Sequence, residues 1–404
     1  MTKISFVRGG SVSSPEGFKA GAVYAGLKTE GEDKLDLGIL YSEAPCAAAG
    51  VFTTLRVRAA TIVLCQERIK RGKAQAVFIN AGVANAFTGA QGLKNAREMA
   101  VLAGRNLGIT PEDVLVASTG VTGVQLPMAK IRAGVSRIKL SEDDGHTLAR
   151  AMMTTDRVPK ETAVRVRDGE LDFTIGGVTK GSGMIHPNLA TMLCFIATDA
   201  SVEPGFLQKA LRESADKSFN MITVDGDTSP NDALLLLANG LAGNKPITVR
   251  SAKAKVFREA LDKVCITLAK KMAADGEGAT KLIEVNVTGA ANIIEGRAVA
   301  RTIAGSSLVK TAIYGNDPNW GRIIAAAGRA GVAIQEEKLD LEIGGIPIMK
   351  RGKILPFERN EAVKVLRKKE VVINLNVNMG KTAATAWGCD MTEEYVKVNS
   401  YYTT

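Results

Sequence analysis

The sequence predicts an α/β fold, layered as in α+β proteins, with a large N-terminal part and a smaller C-terminal αβ part. Three observations support this. Apolar runs of strand length alternate with Gly, Ala and Asn breaks in the first part of the chain, two long segments show helical periodicity, and the pattern changes near Leu282. The 404 residues, 46% of them hydrophobic, are ample for a large core.

The first strands are predicted in "DLGILYSEAPCAAAGVFTT" and "AQAVFINAGVANAFTG", where each apolar run ends in a sharp turn. Asn80 and Asn85 lie at one such end. Asparagine is common in turns because its side chain can hydrogen-bond to the nearby backbone. We therefore interpret both residues as turn formers in preference to catalytic groups.

Two amphipathic helices are predicted, from Leu93 to Leu107 and from Ala254 to Met272. Apolar residues recur at helical spacing on one face of each: Leu93, Ala96, Met99, Ala100, Ala103 and Leu107 in the first, and Val256, Phe257, Ala260, Leu261, Val264, Cys265, Leu268 and Met272 in the second.

A turn after the predicted strand Val114–Ala117 could carry chemistry. In "STGVTG", the hydroxyl of Thr119 and the backbone N–H groups could point at an oxyanion, and Gly120 would let the backbone approach a ligand closely. The turn lacks the Gly-Lys-Ser/Thr that a P-loop requires. Taken alone, it is interpreted as a structural turn.

The stretch from Lys180 to Ala200, "KGSGMIHPNLATMLCFIATDA", joins a polar turn to an apolar strand through Thr191. If the Ala190–Thr191 bond were cut, Thr191 would begin a new chain. Its free α-amine, with an ordinary pKa of about 7.7 to 8.0, could serve as the base for its own hydroxyl. The alternative from local composition is a strand that simply begins with a β-branched residue.

Carboxylates gather in the turn from Asp225 to Asp232 of "TVDGDTSPND". A metal site and a tight, self-hydrogen-bonded loop are both compatible with this pattern, and the loop is favoured because EF-hand spacing is absent. Glu277 lies among glycines in "DGEGATK", directly after the second predicted helix.

From about Leu282 the chain is predicted to form a separate αβ layer. Strands in "LIEVNVTG" and "KLDLEIGGIPI" surround a small helix in "WGRIIAAAGRAG", and "EVVINLNVNMG" and "ATAWGCDMTEEYVKVN" are predicted to form a closing hairpin. The predicted domains are therefore 1–283 and 284–404. The chain ends in "VNSYYTT", so Asn399 and Thr404 are expected to be ordered.

Composition argues against several classes of protein. The net charge is +10, but the basic residues are spread among 42 acidic ones and only 5% of residues are aromatic, so nucleic-acid binding is not indicated. No run approaches the roughly 20 apolar residues of a membrane span. Five scattered cysteines without CxxC spacing predict neither disulfides nor a zinc site, and they fit a reducing cytosol.

Several motifs together carry a family resemblance. "GSGMIHPNLATML" resembles the self-cleavage motif of the ornithine acetyltransferase (ArgJ) family, and "STGVTG", "TVDGDTSPND", "DGEGATK", "GNDPNWGRI" and the terminal "YVKVNSYYTT" are similar to that family's other signatures, in the same order. The resemblance spans essentially the whole chain. It implies a self-cleaving, N-terminal-nucleophile-like αββα sandwich of the ArgJ/DmpA type with a smaller C-terminal αβ domain.

The resemblance also implies site residues. The chain would be cut between Ala190 and Thr191 into an α chain, 1–190, and a β chain, 191–404. The catalytic residues would be Thr191, with Thr119 and Gly120 as the oxyanion hole. The residues that hold the substrate would be Thr155, Lys180, Thr191, Glu277, Asn399 and Thr404. The choice between Thr155 and the adjacent Thr154 stays open.

The implied activity is transfer of acetyl from N-acetylornithine to glutamate through an acetyl-threonine enzyme, with no metal and no bound cofactor. Acetyl-CoA remains open as a second donor. The expected assembly is a cytoplasmic α2β2 heterotetramer without nucleic acid or membrane partners. Two other classes remain: an N-terminal-threonine amidohydrolase or aminopeptidase, and a non-catalytic binding protein. With only His146 and His186 in the chain, a Ser-His-Asp arrangement has few bases, whereas an N-terminal threonine needs none.

Overall fold

The computed structural model describes residues 3–28, 34–169, 171–186 and 192–401. These residues form a mixed α/β fold built on two β-sheets. The helices are α1 Ala60–Arg68, α2 Gly89–Leu107, α3 Met128–Val135, α4 Gly145–Met152, α5 Pro204–Ala215, α6 Ala254–Ala274, α7 Ile293–Ala304, α8 Ser307–Tyr314, α9 Trp320–Gly328, α10 Arg359–Leu366 and α11 Glu393–Tyr401.

Nine of the described strands form the first sheet. They are β1 Lys3–Phe6, β2 Phe18–Val23, β3 Leu37–Phe52, β4 Lys73–Val83, β5 Val114–Val121, β6 Lys160–Asp168, β7 Leu171–Lys180, β8 Leu193–Thr198 and β9 Ala233–Ala238. Their order across the sheet is β1-β6-β7-β8-β9-β3-β4-β5, and β2 pairs with β3 outside this path.

Strand β8 is buried on both faces of this sheet. Cys194 and Ile196 face a core that includes α5 and α6, whereas Leu193 and Phe195 face a second core that includes α1, α2 and α4. A strand covered on both faces reads as a continuous apolar run. This is why the sequence after residue 191 predicts a strand without polar alternation.

The second sheet is formed by the C-terminal part of the chain. Its strands are β10 Leu282–Ala290, β11 Asp340–Ile343, β12 Ile346–Lys350, β13 Lys353–Ile354, β14 Glu370–Asn376 and β15 Thr382–Cys389. They are ordered β13-β12-β11-β14-β10-β15, and α7 packs against β10 and β15. Apolar residues of this sheet and of α6 belong to one continuous core.

The predicted fold class is confirmed, and the two sheets with their helices are consistent with an αββα sandwich. The two predicted amphipathic helices correspond to α2 and α6, and the alanine-rich helix corresponds to α9. The domain boundary after residue 283 falls inside β10 and stays a prediction. No described helix is long and apolar enough to cross a bilayer.

The predicted C-terminal hairpin is wrong, because β10 lies between the two strands that were expected to pair. It runs parallel to β14 and antiparallel to β15. The residues that connect β14 to β15 pass over the end of β10: the backbone N–H of Val377 donates to the carbonyl of Thr288, and those of Met379 and Gly380 donate to the carbonyl of Gly289. Pairing β14 with β15 because they are adjacent in sequence therefore gave the wrong partner for both strands.

The packing of α6 leads to a first prediction. Phe257 is fully buried, with its ring centroid 5.9 Å from those of both Phe173 and Phe206. Replacing it by alanine would open a cavity that its neighbours fill only in part, so Phe257→Ala should lower the free energy of unfolding by about 3 to 5 kcal/mol. Guanidinium denaturation followed by circular dichroism measures the change.

Lys255→Ala provides the matched control on the same helix, since the Lys255 side chain is 84% exposed. It should change the free energy of unfolding by no more than about 0.5 kcal/mol. Equal effects of the two substitutions would contradict the assignment of Phe257 to the core.

Candidate active site

A cavity of about 350 Å³ brings together most of the residues that the sequence singled out. Its lining includes the predicted site residues Thr119, Gly120, Thr155, Lys180, Glu277 and Asn399, together with Thr154 and residues of the acidic loop. The predicted residues Ala190, Thr191 and Thr404 lie outside the described residues. The described residue nearest to Thr191 in the sequence is Met192, which directly precedes β8.

The strand predicted as Val114–Ala117 continues to Val121, so the predicted turn is wrong at Ser118, Thr119 and Gly120, which pair with β4 as part of β5. The end of this strand is shaped by a close backbone approach. Gly120 has φ +124°, and a Cβ atom there would lie 2.2 Å from the carbonyl carbon of Gly82 on β4. Only glycine fits such a position. The register between β4 and β5 shifts at Gly82 and Val83, and both Thr119 and Gly120 line the cavity.

Asn80 and Asn85 both have structural roles, as interpreted from the sequence, but Asn80 belongs to strand β4 and only Asn85 lies in the connection that follows it. Asn80 is buried, donates from its side chain to the carbonyl of Val83 and accepts from the Ser118 hydroxyl. Asn85 adopts a left-handed conformation with φ 51° and donates to the carbonyl of Gly92. Their hydrogen-bonding groups are therefore used to hold the end of β4 and the connection that follows it.

Lys180 enters the site from the end of β7. Its side chain is buried, and its Nζ donates to the hydroxyls of Thr119, at 3.1 Å, and Thr154, at 2.8 Å. Burial lowers the pKa of Lys180, and the nearby carboxylate of Asp156 acts in the opposite direction. The ammonium group is thus aimed at the hydroxyl that was predicted to belong to the oxyanion hole.

The two candidate threonines have different roles in the described structure. Thr154 contacts Lys180, whereas the hydroxyl of Thr155 is 2.7 Å from that of Ser182. Both line the cavity. The sequence could not separate them, since the difference arises from contacts with residues more than twenty positions away.

A buried ion network beneath Lys180 was missed in the sequence. Lys160 is fully buried, and its Nζ lies 2.6 Å from carboxylate oxygens of both Asp156 and Asp275. Asp156 also accepts from the backbone N–H groups of Gly181, at 2.7 Å, and Thr154, at 3.0 Å. Burial opposes its ionisation, but the charges of Lys180 and Lys160 outweigh this and lower the pKa of Asp156.

Two residues of the C-terminal half, Glu277 and Asn399, also line the cavity. The carboxylate of Glu277 accepts from the side-chain amide of Asn399, on α11, at 2.9 Å. The backbone N–H of Glu277 donates to the carbonyl of Ser182, and a Cβ at Gly183 would lie only 2.3 Å from the Glu277 carboxylate. Gly183 therefore makes room for this carboxylate.

Neither of the two histidines is among the described residues that line the cavity. His146 is half-exposed and lies 2.6 Å from a carboxylate oxygen of Glu161. His186 approaches the hydroxyl of Thr223, and burial lowers its pKa. A histidine base is thus not supplied to this cavity by the described residues.

Comparison with known proteins identifies close relatives over the whole chain. The model of the ArgJ family matches residues 19–404. The "Arginine biosynthesis bifunctional protein ArgJ" of Dehalococcoides mccartyi is 51% identical over 403 residues, with 100% of both chains covered. The protein of the same name from Symbiobacterium thermophilum is 51% identical, with 98% of this chain and 99% of the relative covered.

A solved structure is also similar. The crystal structure of arginine biosynthesis bifunctional protein argJ from Bacillus halodurans is 48% identical in the aligned region, with a TM-score of 0.51. The alignment covers 52% of this chain and 98% of that chain.

The buried ion network leads to a second prediction. Asp156→Ala leaves Lys160 with one carboxylate in place of two and should lower the free energy of unfolding at pH 7 by about 3 to 5 kcal/mol. Because the pKa of Asp156 is lowered by folding, its contribution is complete above the unfolded pKa of about 3.9 and decreases as the pH falls below it. Denaturation at pH 7 and pH 3 should therefore show a smaller difference between wild type and variant at pH 3.

Asp172→Ala is the control, since Asp172 pairs with Arg165 and Arg167 on an exposed surface. Asp172→Ala should lower the free energy of unfolding by less than about 1 kcal/mol. A difference between wild type and Asp156→Ala that grows as the pH falls would contradict the ionised state assigned to Asp156.

Proposed function

This chain belongs to the ArgJ family, and we propose that it is an arginine-biosynthesis acetyltransferase that moves acetyl from N2-acetyl-L-ornithine to L-glutamate. The observation that carries the proposal is the single cavity shared by Thr119, Gly120 and Lys180 with Glu277 and Asn399. These residues come from both sides of the predicted cut. A site assembled in this way requires the two fragments to stay associated.

The proposal makes Thr191 the nucleophile. In self-cleavage, its Oγ would bond to the carbonyl carbon of Ala190, the C–N bond would break, and the hydroxyl proton would end on the freed nitrogen. Water would then hydrolyse the ester, which leaves a carboxyl group on Ala190 and restores the hydroxyl. The solved Bacillus halodurans chain aligns over 98% of its length with 52% of this chain, a share that suits a fragment cut near the middle.

Acetyl transfer would use the same atoms. The Oγ of Thr191 would attack the acetyl carbonyl of N-acetylornithine while the α-amine takes the hydroxyl proton. The amide C–N bond would break, and its nitrogen would receive that proton as ornithine leaves. The amine of glutamate would then attack the acetyl ester, and its proton would return to the Thr191 oxygen.

The oxyanion in each step would be stabilised by the Thr119 hydroxyl and the Gly120 N–H. Donors placed in advance at such a position stabilise the transition state without reorganisation. Lys180 supports this role because its Nζ donates to the Thr119 oxygen, 3.1 Å away, which leaves the hydroxyl hydrogen available for the substrate. Its positive charge would also favour the substrate carboxylate.

Substrate binding is proposed for Thr155, Lys180, Glu277, Asn399 and Thr404. Glu277 and Asn399 support this because their linked polar groups line the same cavity as Lys180. A cavity lined by both cationic and anionic groups suits an amino acid, whose amine and carboxylate carry opposite charges.

The proposal extends to assembly, donor and location. We propose an α2β2 heterotetramer without a bound cofactor, with acetyl-CoA as a second donor consistent with the word "bifunctional" in the relatives' names. A cytoplasmic location is supported by the five free, buried cysteines. The amidohydrolase alternative is not favoured, since full-length relatives are arginine-biosynthesis proteins.

A labelling experiment tests the proposed activity. Enzyme is incubated with glutamate and N-acetylornithine carrying a labelled acetyl group, and labelled N-acetylglutamate is measured. Wild type should appear as two fragments on a denaturing gel and label glutamate, whereas Thr191→Ala should remain one chain and label nothing. Release of free acetate without labelled N-acetylglutamate would identify a hydrolase, and a parallel reaction with labelled acetyl-CoA tests the second donor.

Thr119→Ala tests the oxyanion hole. Loss of one donor should lower kcat for acetyl transfer by about 10²- to 10³-fold, with a much smaller change in KM. Thr119→Ser keeps the hydroxyl and should retain most of the activity. Steady-state kinetics on protein already shown to be cleaved measures both constants. A near-normal kcat for Thr119→Ala would mean that this segment has only a structural role.

A further inference from the structure

The acidic loop from Asp225 to Asp232 has no role in the proposed acetyl transfer, although it lies beside the cavity. Part of it bonds to itself, as predicted: the N–H of Asp227 donates to Asp225, and that of Asn231 donates to the Ser229 hydroxyl. Its two terminal carboxylates, however, bond to backbone groups on either side of the predicted cut.

Asp225 holds the chain upstream of the cut. Its two carboxylate oxygens accept from the backbone N–H groups of Met184, at 2.6 Å, and Ile185, at 2.9 Å. The N–H of Val224 donates to the carbonyl of Ile185. Bonds to an ionised carboxylate are stronger than those between neutral groups, so residues 184 and 185 are firmly tied to the loop.

Asp232 holds the chain downstream. It is fully buried, and its Oδ1 accepts from the backbone N–H of Met192 at 2.8 Å. The carbonyl of Met192 accepts from the N–H of Ala233. Both polar backbone groups of the residue directly after Thr191 are therefore bonded to the loop or its continuation.

The loop is itself fixed to the first sheet. The side-chain amide of Asn231 donates to the carbonyls of Ala84, at 2.6 Å, and Ser118, at 2.9 Å. The Thr53 hydroxyl donates to the carbonyl of Ser229. The separation between the two held ends is thus determined by the folded sheet, and Ser118 directly precedes the oxyanion residue Thr119.

From these contacts we propose that Asp225 and Asp232 are positioning residues for self-cleavage, which anchor the chain on the two sides of the Ala190–Thr191 bond. The inference rests on the proposed function. An intramolecular attack is fast only when the reacting atoms are held close and aligned, and a displacement of about 1 Å can cost 10²-fold in rate. Anchors on both sides limit such displacement.

The two anchors differ in how many carboxylate oxygens accept hydrogen bonds, which gives each its own conservative variant. Burial raises the pKa of Asp232 well above its ordinary value. Among the described residues its Oδ1 accepts from Met192 and its Oδ2 has no hydrogen-bond partner, so asparagine keeps the one acceptor that is in use. Burial also raises the pKa of Asp225, to about 6. At pH 8 Asp225 is ionised, and asparagine would replace two of its acceptor sites by donors.

The test follows precursor made by cell-free translation of the full chain at pH 8, with conversion into two fragments measured over time on denaturing gels. Asp225→Ala and Asp232→Ala should cleave about 10- to 100-fold more slowly than wild type. Asp232→Asn should cleave within about threefold of wild type, whereas Asp225→Asn should be slow.

Asp199→Ala is the matched control. Asp199 is also buried and accepts from two backbone N–H groups, those of Glu16 and Thr174, but it follows the opposite end of β8. It should lose thermal stability and still cleave at the wild-type rate. That contrast separates positioning from a general loss of stability.

Cleavage of Asp225→Ala and Asp232→Ala at the wild-type rate would overturn the inference, as would Asp232→Asn as slow as Asp232→Ala. If circular dichroism shows that Asp232→Ala does not fold, the half-buried Asp225 is tested instead. Normal cleavage of Asp225→Ala would then overturn the inference. Wild type that never cleaves would instead overturn the proposed function.

Discussion

The ammonium group of Lys180 is buried at the end of β7, and the arrangement of the cavity depends on how the protein accommodates it. A buried charge is tolerated only when partners replace the lost water. Thr119 and Thr154 supply oxygen atoms, and Asp156 supplies a nearby negative charge. Asp156 in turn bonds to Gly181 and Lys160, so one network joins the strand, its following turn and the loop before β6.

This network also links the two halves of the chain. Lys160 bonds to Asp275, at the end of α6, and Asp275 lies two residues before Glu277 in sequence. Glu277 then reaches Asn399 on the last described helix. Lys180 and Glu277 are therefore connected through Asp156, the Lys160–Asp275 pair and the short chain segment from Asp275 to Glu277, which joins residues on the two sides of the predicted cut.

The acidic loop was predicted correctly as a tight loop, but its contacts with other segments of the chain were not predicted. Its turn-forming residues predicted a tight loop, and hydrogen bonds within the loop agree. Its outward bonds to Met184, Ile185 and Met192 span about forty residues of sequence. Local composition does not reveal such partners, because a carboxylate can accept a hydrogen bond from any backbone N–H group that the fold brings close to it.

The sequence by itself determined the local elements and the residue types of the site. Helical periodicity specified α2 and α6, and long motifs singled out Thr119, Lys180 and Glu277, which line one cavity. The turns predicted at Asn80 and Gly120 were wrong, because both residues belong to strands. Tertiary structure alone decided which strands pair, as the insertion of β10 between β14 and β15 shows. It also decided that Lys180 contacts Thr154 and that Lys160 is buried between two aspartates. The physical reason is that periodicity reports which face of an element is buried, whereas the partner on that face comes from any distance along the chain.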